Sequence, residues 1–125
     1  MNKSINTSNA PAALGPYSQA IQAGNFLYVS GQLGLVPATG EFAGDVTAQT
    51  KQAILNLSAI LEEAGFSLKD VVKTTVFLKS MDDFGAMNEV YGQYFTEPFP
   101  ARAAFQVAKL PKDGMVEIEV VAHKE

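Results

Sequence analysis

Residues 71–80 read "VVKTTVFLKS", and the way this stretch must be covered decides the fold. Its β-branched and aromatic side chains suit a pleated strand, and a period of two puts Val72, Thr74, Val76 and Leu78 on one face. Such a face needs an apolar cover, and the flanking sequence supplies one on each side. Downstream, Asp82 and Asp83 suit the positive end of a helix whose apolar stripe is Phe84, Met87, Tyr91, Tyr94 and Phe95. Pro98 and Pro100 close that segment. Upstream, Asp45 opens a second helical pattern in which Val46, Thr50, Ala53, Ile54, Leu57, Ile60, Leu61 and Ala64 recur at spacings of three and four. Gly65 stands where a glycine ends a helix.

Further out the pattern returns to strands. "YSQAIQAGNFLYVSG" (17–31) reads as a hairpin around Ala23, Gly24 and Asn25. After Pro100 come a strand in "AAFQV" (103–107), the turn "PKDG" (111–114) and "MVEIEVVAH" (115–123). In the last of these Val116, Ile118, Val120 and Ala122 alternate with Glu117, Glu119 and Val121. The expected order is ββαβαββ, an α+β domain spanning residues 1–125, with two helices on one face of a small mixed sheet.

The other sheet face is predicted to carry Thr75, Phe77, Glu117, Glu119 and Val121. That blend is too apolar for free exposure and too charged for a private core. A closed oligomer resolves it, and periodicity alone does not choose between dimer and trimer.

Composition narrows the chemistry. A net charge of −4 and the absence of cysteine weigh against nucleic-acid binding and exclude disulfides and thiolate sites. The lone histidine, His123, has no spaced partner for a metal site and reads as a strand-end residue. Neither a signal-like apolar run nor a stretch of ~20 apolar residues is present, so the expectation is a soluble cytoplasmic protein. "GQLGL" (31–35) matches no phosphate-binding glycine pattern, and nucleotide cofactors have no support.

Against that background Arg102 is conspicuous, because eight lysines supply every other strong positive charge in the 125 residues. Arginine presents a planar fork that fits a carboxylate with two parallel hydrogen bonds. Two partners are open to it. The strand after Arg102 is expected to pair with the last strand, which would let Glu117 or Glu119 form an internal ion pair. Alternatively, Arg102 binds the carboxylate of a small organic acid and leaves a glutamate free to act on water. Glu117 and Glu119 sit on one side of their strand, ~6 to 7 Å apart, and such a pair also fits a solvated face.

Other candidates are weaker. Ser30, followed by Gly31 where backbone can approach a ligand, lacks a histidine partner for nucleophilic work and suits hydrogen bonding to a ligand or a plain turn. Tyr17 fits either a pocket mouth or the core. Asn88 flanks the buried stripe of the second helix and either ties a loop to it or faces water.

In this order and over nearly the whole chain, "GPYSQAI" (15–21), "LYVSGQL" (27–33), "VVKTTVFL" (71–78), "FPARAAF" (99–105) and "LPKDGMVEIE" (110–119) resemble the RidA/YjgF/L-PSP family. The similarity is greatest to its archetypal RidA group, the 2-iminobutanoate/2-iminopropanoate deaminases. It implies a chorismate-mutase-like fold and a homotrimer whose sheets face one another, barrel-like, with three clefts between subunits. It also implies cofactor-independent, metal-free hydrolysis of 2-imino acids to 2-keto acids and ammonia, downstream of pyridoxal-phosphate dehydratases. By the same resemblance Arg102 holds the substrate carboxylate and Glu117 orients or activates water. Tyr17, Ser30 and Asn88 line the cleft, Gly31 forms its floor, and Ala104 stands where many relatives have cysteine, offering its backbone carbonyl. The loop "TEPFPAR" (96–102) is shorter than in some archetypal members. A non-catalytic small-carboxylate-binding trimer, a ribonuclease or translation inhibitor, and a holdase chaperone are the competing readings.

Overall fold

The computed structural model describes residues 1–125. Its elements are β1 (Lys3–Ile5), β2 (Ala20–Ala23), β3 (Phe26–Leu33), α1 (Val46–Glu63), β4 (Val71–Leu78), α2 (Phe84–Tyr94), β5 (Ala101–Gln106) and β6 (Val116–His123). The strands form one six-stranded sheet in the order β1-β2-β3-β6-β4-β5. Only β4 and β5 pair in parallel, which makes the sheet mixed.

The expected α+β layering is present, with both helices on one face. The Asp45 carboxylate accepts from the Ala48 amide at 3.0 Å and caps α1. At the other end Gly65 takes φ +82, a backbone state that costs glycine little, and the Phe66 amide reaches the Leu61 carbonyl at 2.8 Å. Between these stops Ala53, Ile54, Leu57, Ile60 and Leu61 are sealed against the sheet, and each large aliphatic side chain so buried contributes ~1.5–3 kcal/mol. The alternation in β6 holds: Val116, Ile118, Val120 and Ala122 face the helices, while Glu117, Glu119 and Val121 face away.

Three expectations require correction. The order gains a strand at its start, since Lys3–Ile5 pairs antiparallel with β2. Val72 does not join the face of Thr74, Val76 and Leu78. A register shift against β6 between Val71 and Lys73 turns Val71 inward and leaves Val72 45% exposed. Finally, β5 begins at Ala101, contains Arg102 and pairs with β4, not with the last strand.

The face away from the helices is open in the single chain. It carries Thr75, Phe77, Glu117, Glu119 and Val121 as expected, together with Tyr28 and Phe105, both large and exposed. Phe77 and Phe105 stack edge to face there, with centroids 5.5 Å apart.

Candidate functional site

Arg102 and Glu117, the two residues expected to carry the chemistry, occupy different faces of the sheet. Arg102 is the register partner of Thr74, and side chains of paired residues share a face. Thr74 is buried under the helices, so Arg102 projects on the helical side, at the sheet edge. Glu117 is paired with Phe77 on one side and Leu33 on the other, on the open face. Strand β4 separates them.

At the edge, α2 meets the arginine with one side. Phe84, Asn88 and Tyr91 are spaced four and then three residues apart, which brings them onto a common helical surface. An Arg102 Nη1 group donates to Asn88 Oδ1 at 2.7 Å. The guanidinium carbon stands 4.8 Å from the Tyr91 ring centroid and 5.5 Å from that of Phe84, within cation–π range. The Tyr91 hydroxyl hydrogen-bonds Thr74 Oγ1 at 2.8 Å, both groups being buried. Burial pushes the Tyr91 phenol up, against smaller opposing effects of the Thr74 hydrogen bond and the Arg102 charge. Ala104 lies on the same face, half-buried and packed against the core.

No carboxylate completes this corner. The chain's single salt bridge joins Lys79 to Asp113 at 3.0 Å, and the internal Arg102 ion pair with Glu117 or Glu119 is overturned. The reason is topological: with β5 beyond β4, both glutamates lie across the sheet and point the other way.

The second locus is built where β3 bulges against β6. Their register shifts between Val29 and Gln32, so Ser30 and Gly31 together oppose Glu119. A side chain on Gly31 would put its Cβ 2.9 Å from Glu117 Cδ and 3.0 Å from Oε2; the carboxyl group rests directly on the glycine backbone. Beside it opens a cavity of about 300 Å³ whose lining includes Tyr17, Gly31, Leu33, Lys112 and Glu117. Half-burial raises the Glu117 carboxyl above its ordinary 4.5, and the charge of Glu119 adds to the rise. Ser30 does not line the cavity; its hydroxyl donates to the Ser18 carbonyl at 2.6 Å. Tyr17 is at the mouth, exposed. His123 ends β6 and packs on Phe26, centroids 4.8 Å apart.

The candidates therefore gather as two half-sites: Arg102, Asn88 and Ala104 at the sheet edge, and Glu117, Gly31 and Tyr17 at the cavity with Ser30 behind them. Sequence reasoning missed the part played by Phe84 and Tyr91, which counted only as an apolar stripe; their four-and-three spacing around Asn88 was the available signal. It also missed Gln19, which is buried and clamps the wall of the cavity by accepting from the Thr7 amide at 2.7 Å and donating to the Pro11 carbonyl at 2.8 Å. Lys112, with φ +55 in a backbone region unusual for a lysine, was read only as turn.

Comparison with known proteins places the chain in a family and a fold. The profile of the family described as Endoribonuclease L-PSP matches residues 7–124. A RutC family protein of Pyrococcus horikoshii is 56% identical over 126 residues, covering 100% of both chains. The 2-iminobutanoate/2-iminopropanoate deaminase of Escherichia coli K12 is 50% identical, covering 98% of each. The crystal structure of E. coli TdcF with bound serine superposes with a TM-score of 0.94 at 43% identity, covering 98% of this chain and 99% of that one. A mixed six-stranded sheet backed by two helices on one face is the α+β architecture of the YjgF/RidA structures. The chain belongs to the RidA/YjgF/L-PSP family.

Proposed function

We propose that this protein is a reactive-intermediate deaminase that hydrolyses 2-iminopropanoate (the tautomer of 2-aminoacrylate) and 2-iminobutanoate to 2-keto acids and ammonia. The observation that carries this reading is the split of the site: an arginine without a carboxylate on one face, and a glutamate without a cation on the other. A homotrimer with its open sheet faces together brings the edge of one subunit to the cavity of the next. Such burial also removes Tyr28 and Phe105 from water, which favours assembly. The similarity to an E. coli deaminase at 50% identity supports the activity, and the serine bound by TdcF supports a cleft for small amino-acid-like carboxylates.

In the assembled cleft Arg102, steadied by Asn88, binds the substrate carboxylate through two parallel hydrogen bonds. The partner subunit's Glu117 holds a water against the imine carbon. As the water oxygen bonds to the carbon of the protonated imine (C=NH2+), the C=N pair moves to nitrogen to leave a neutral NH2 group, and Glu117 takes the proton that water gives up. The carbinolamine then collapses: Glu117 returns its proton to the NH2 group. As the C–N bond breaks and ammonia leaves, the hydroxyl forms the keto C=O and gives its own proton to the Glu117 carboxylate, which releases it to solvent. Tyr17 borders the cleft with Ser30 behind it, Gly31 keeps its floor close to Glu117, and the Ala104 carbonyl provides a further acceptor for water. No cofactor or metal enters the scheme.

The functional unit is the whole chain as one domain, acting in the cytoplasm beside the pyridoxal-phosphate dehydratases that release such imines. None of its helices is long and apolar enough to cross a membrane. A net charge of −4 and a single arginine make RNA a poor substrate. A non-catalytic carboxylate sensor would share the Arg102 cleft and differ only in lacking turnover.

The test generates 2-iminobutanoate in situ with a dehydratase and follows ammonia and keto-acid release. Release accelerated by the intact protein and lost in an Arg102→Ala trimer is expected. Ligand binding without acceleration would replace the deaminase with the sensor.

A further inference from the structure

Arg102 combines an exposed position on an edge strand with a long, rotamer-rich side chain. A carboxylate receptor of that kind loses orientation unless something fixes its plane. Asn88 engages one Nη1 group, at 2.7 Å, which restrains one corner of the fork and leaves rotation about that contact. The second restraint comes from below. Tyr91 supports the guanidinium at 4.8 Å and is itself immobilised from two directions. Its hydroxyl is tied to Thr74 Oγ1 at 2.8 Å, and its ring packs on Phe95, with centroids 4.5 Å apart. Thr74 is 0% exposed and is the cross-strand partner of Arg102. The support thus closes on itself, from the backbone of Arg102 across the ladder to Thr74, through the Tyr91 ring, and back to the guanidinium.

We infer that Tyr91, anchored by Thr74, is a positioning residue that fixes the plane of the Arg102 guanidinium, so that the N–H groups Asn88 does not use are presented to the substrate carboxylate. This rests on the carboxylate-binding role given to Arg102 above. The ring, not the hydroxyl, acts on the arginine; the hydroxyl only holds the ring. Phe84, 5.5 Å from the guanidinium carbon, borders the same cradle and contributes less.

The chain has one arginine, so a single guanidinium Nε–H resonance reports on Arg102 without assignment. In the wild-type protein that resonance is expected to be displaced by the ring current of Tyr91 and to show hindered guanidinium rotation. Tyr91→Phe keeps the ring and loses the Thr74 hydrogen bond: it should unfold at lower temperature while keeping the resonance position and a KM for 2-iminobutanoate within about 2-fold of wild type. Tyr91→Leu should move the resonance toward that of free arginine and raise KM about 5- to 30-fold, more than it lowers kcat. A purely structural tyrosine would make KM follow the loss of stability, with Tyr91→Phe affected as much as Tyr91→Leu, and that result would overturn the proposal. So would a wild-type resonance already at the free-arginine position, which decides the matter even if Tyr91→Leu does not fold. If the wild type fails to hydrolyse imines, the deaminase reading falls alone. The orientation of Arg102 is then read from the resonance and from the affinity for 2-oxobutanoate in the same variants.

Discussion

The sheet edge and the cavity over β6 are opposite in almost every physical respect. At the edge, a permanent cation is exposed and braced by aromatic rings and an amide. Over β6, a carboxyl group is half-buried, pressed on a glycine, and raised in pKa by burial and a like charge. The cation lacks a carboxylate and the carboxylate lacks a cation. In the proposed reaction each locus supplies half of the chemistry, and the topology that puts β4 between β5 and β6 prevents one chain from joining them. In the proposed trimer the two meet without rearrangement of either.

This contrast can be broken first at the cavity. Glu117→Gln should lower kcat by about 10² to 10⁴, the usual value of a positioned general base, with little change in binding of 2-oxobutanoate. The wild-type rate should fall as pH falls through the raised Glu117 pKa, because protonation removes the base. Glu119→Gln should move that acid limb downward by removing a charge that opposes ionisation. A rate indifferent to pH across the carboxylate range would contradict the role.

A smaller effect is expected from Gly31→Ala. The new methyl group would meet the flexible end of Glu117, 2.9 Å from Cδ, so the fold should survive while the carboxylate shifts. We expect kcat about 10-fold lower with KM nearly unchanged, since misplacement by even 1 Å is costly in a near-attack arrangement. The smallest effect on chemistry belongs to a site remote from both loci. Asp45→Ala removes the α1 cap and should cost ~1 kcal/mol of stability, seen as a melting temperature a few degrees lower, with the rate per folded trimer unaltered.

Much of this arrangement was legible in the chain. Helix α1 announces itself by the Asp45 cap, the stripe and Gly65, all local signals. The alternation of β6 separates Glu117 from the core before any coordinates are known. What escaped depends on pairing between distant segments. Strand β1 is three residues long with only Ile5 buried, too short for a period to show. Val72 fits the alternation of its own strand and is displaced by a bulge that only the partner strand reveals. The pairing of β5 with β4 defeated the simpler expectation that neighbours in sequence pair in space. With it went the internal Arg102–Glu117 ion pair, one of the two partners open in the sequence, because the relative faces of two residues on different strands follow from register. The resemblance to a family named the site residues, while their division between two faces emerged from the fold.

The most direct test of the split site mixes two inactive proteins. Arg102→Ala retains Glu117, and Glu117→Ala retains Arg102. Subunits of the two variants are dissociated and reassembled together in equal amounts, with exchange verified by native mass spectrometry. A closed trimer with clefts between subunits predicts that random assortment restores about a quarter of the wild-type clefts, and with them about a quarter of the imine hydrolysis. Fully exchanged trimers that remain inactive would show that Arg102 and Glu117 must come from the same chain, and would contradict the account.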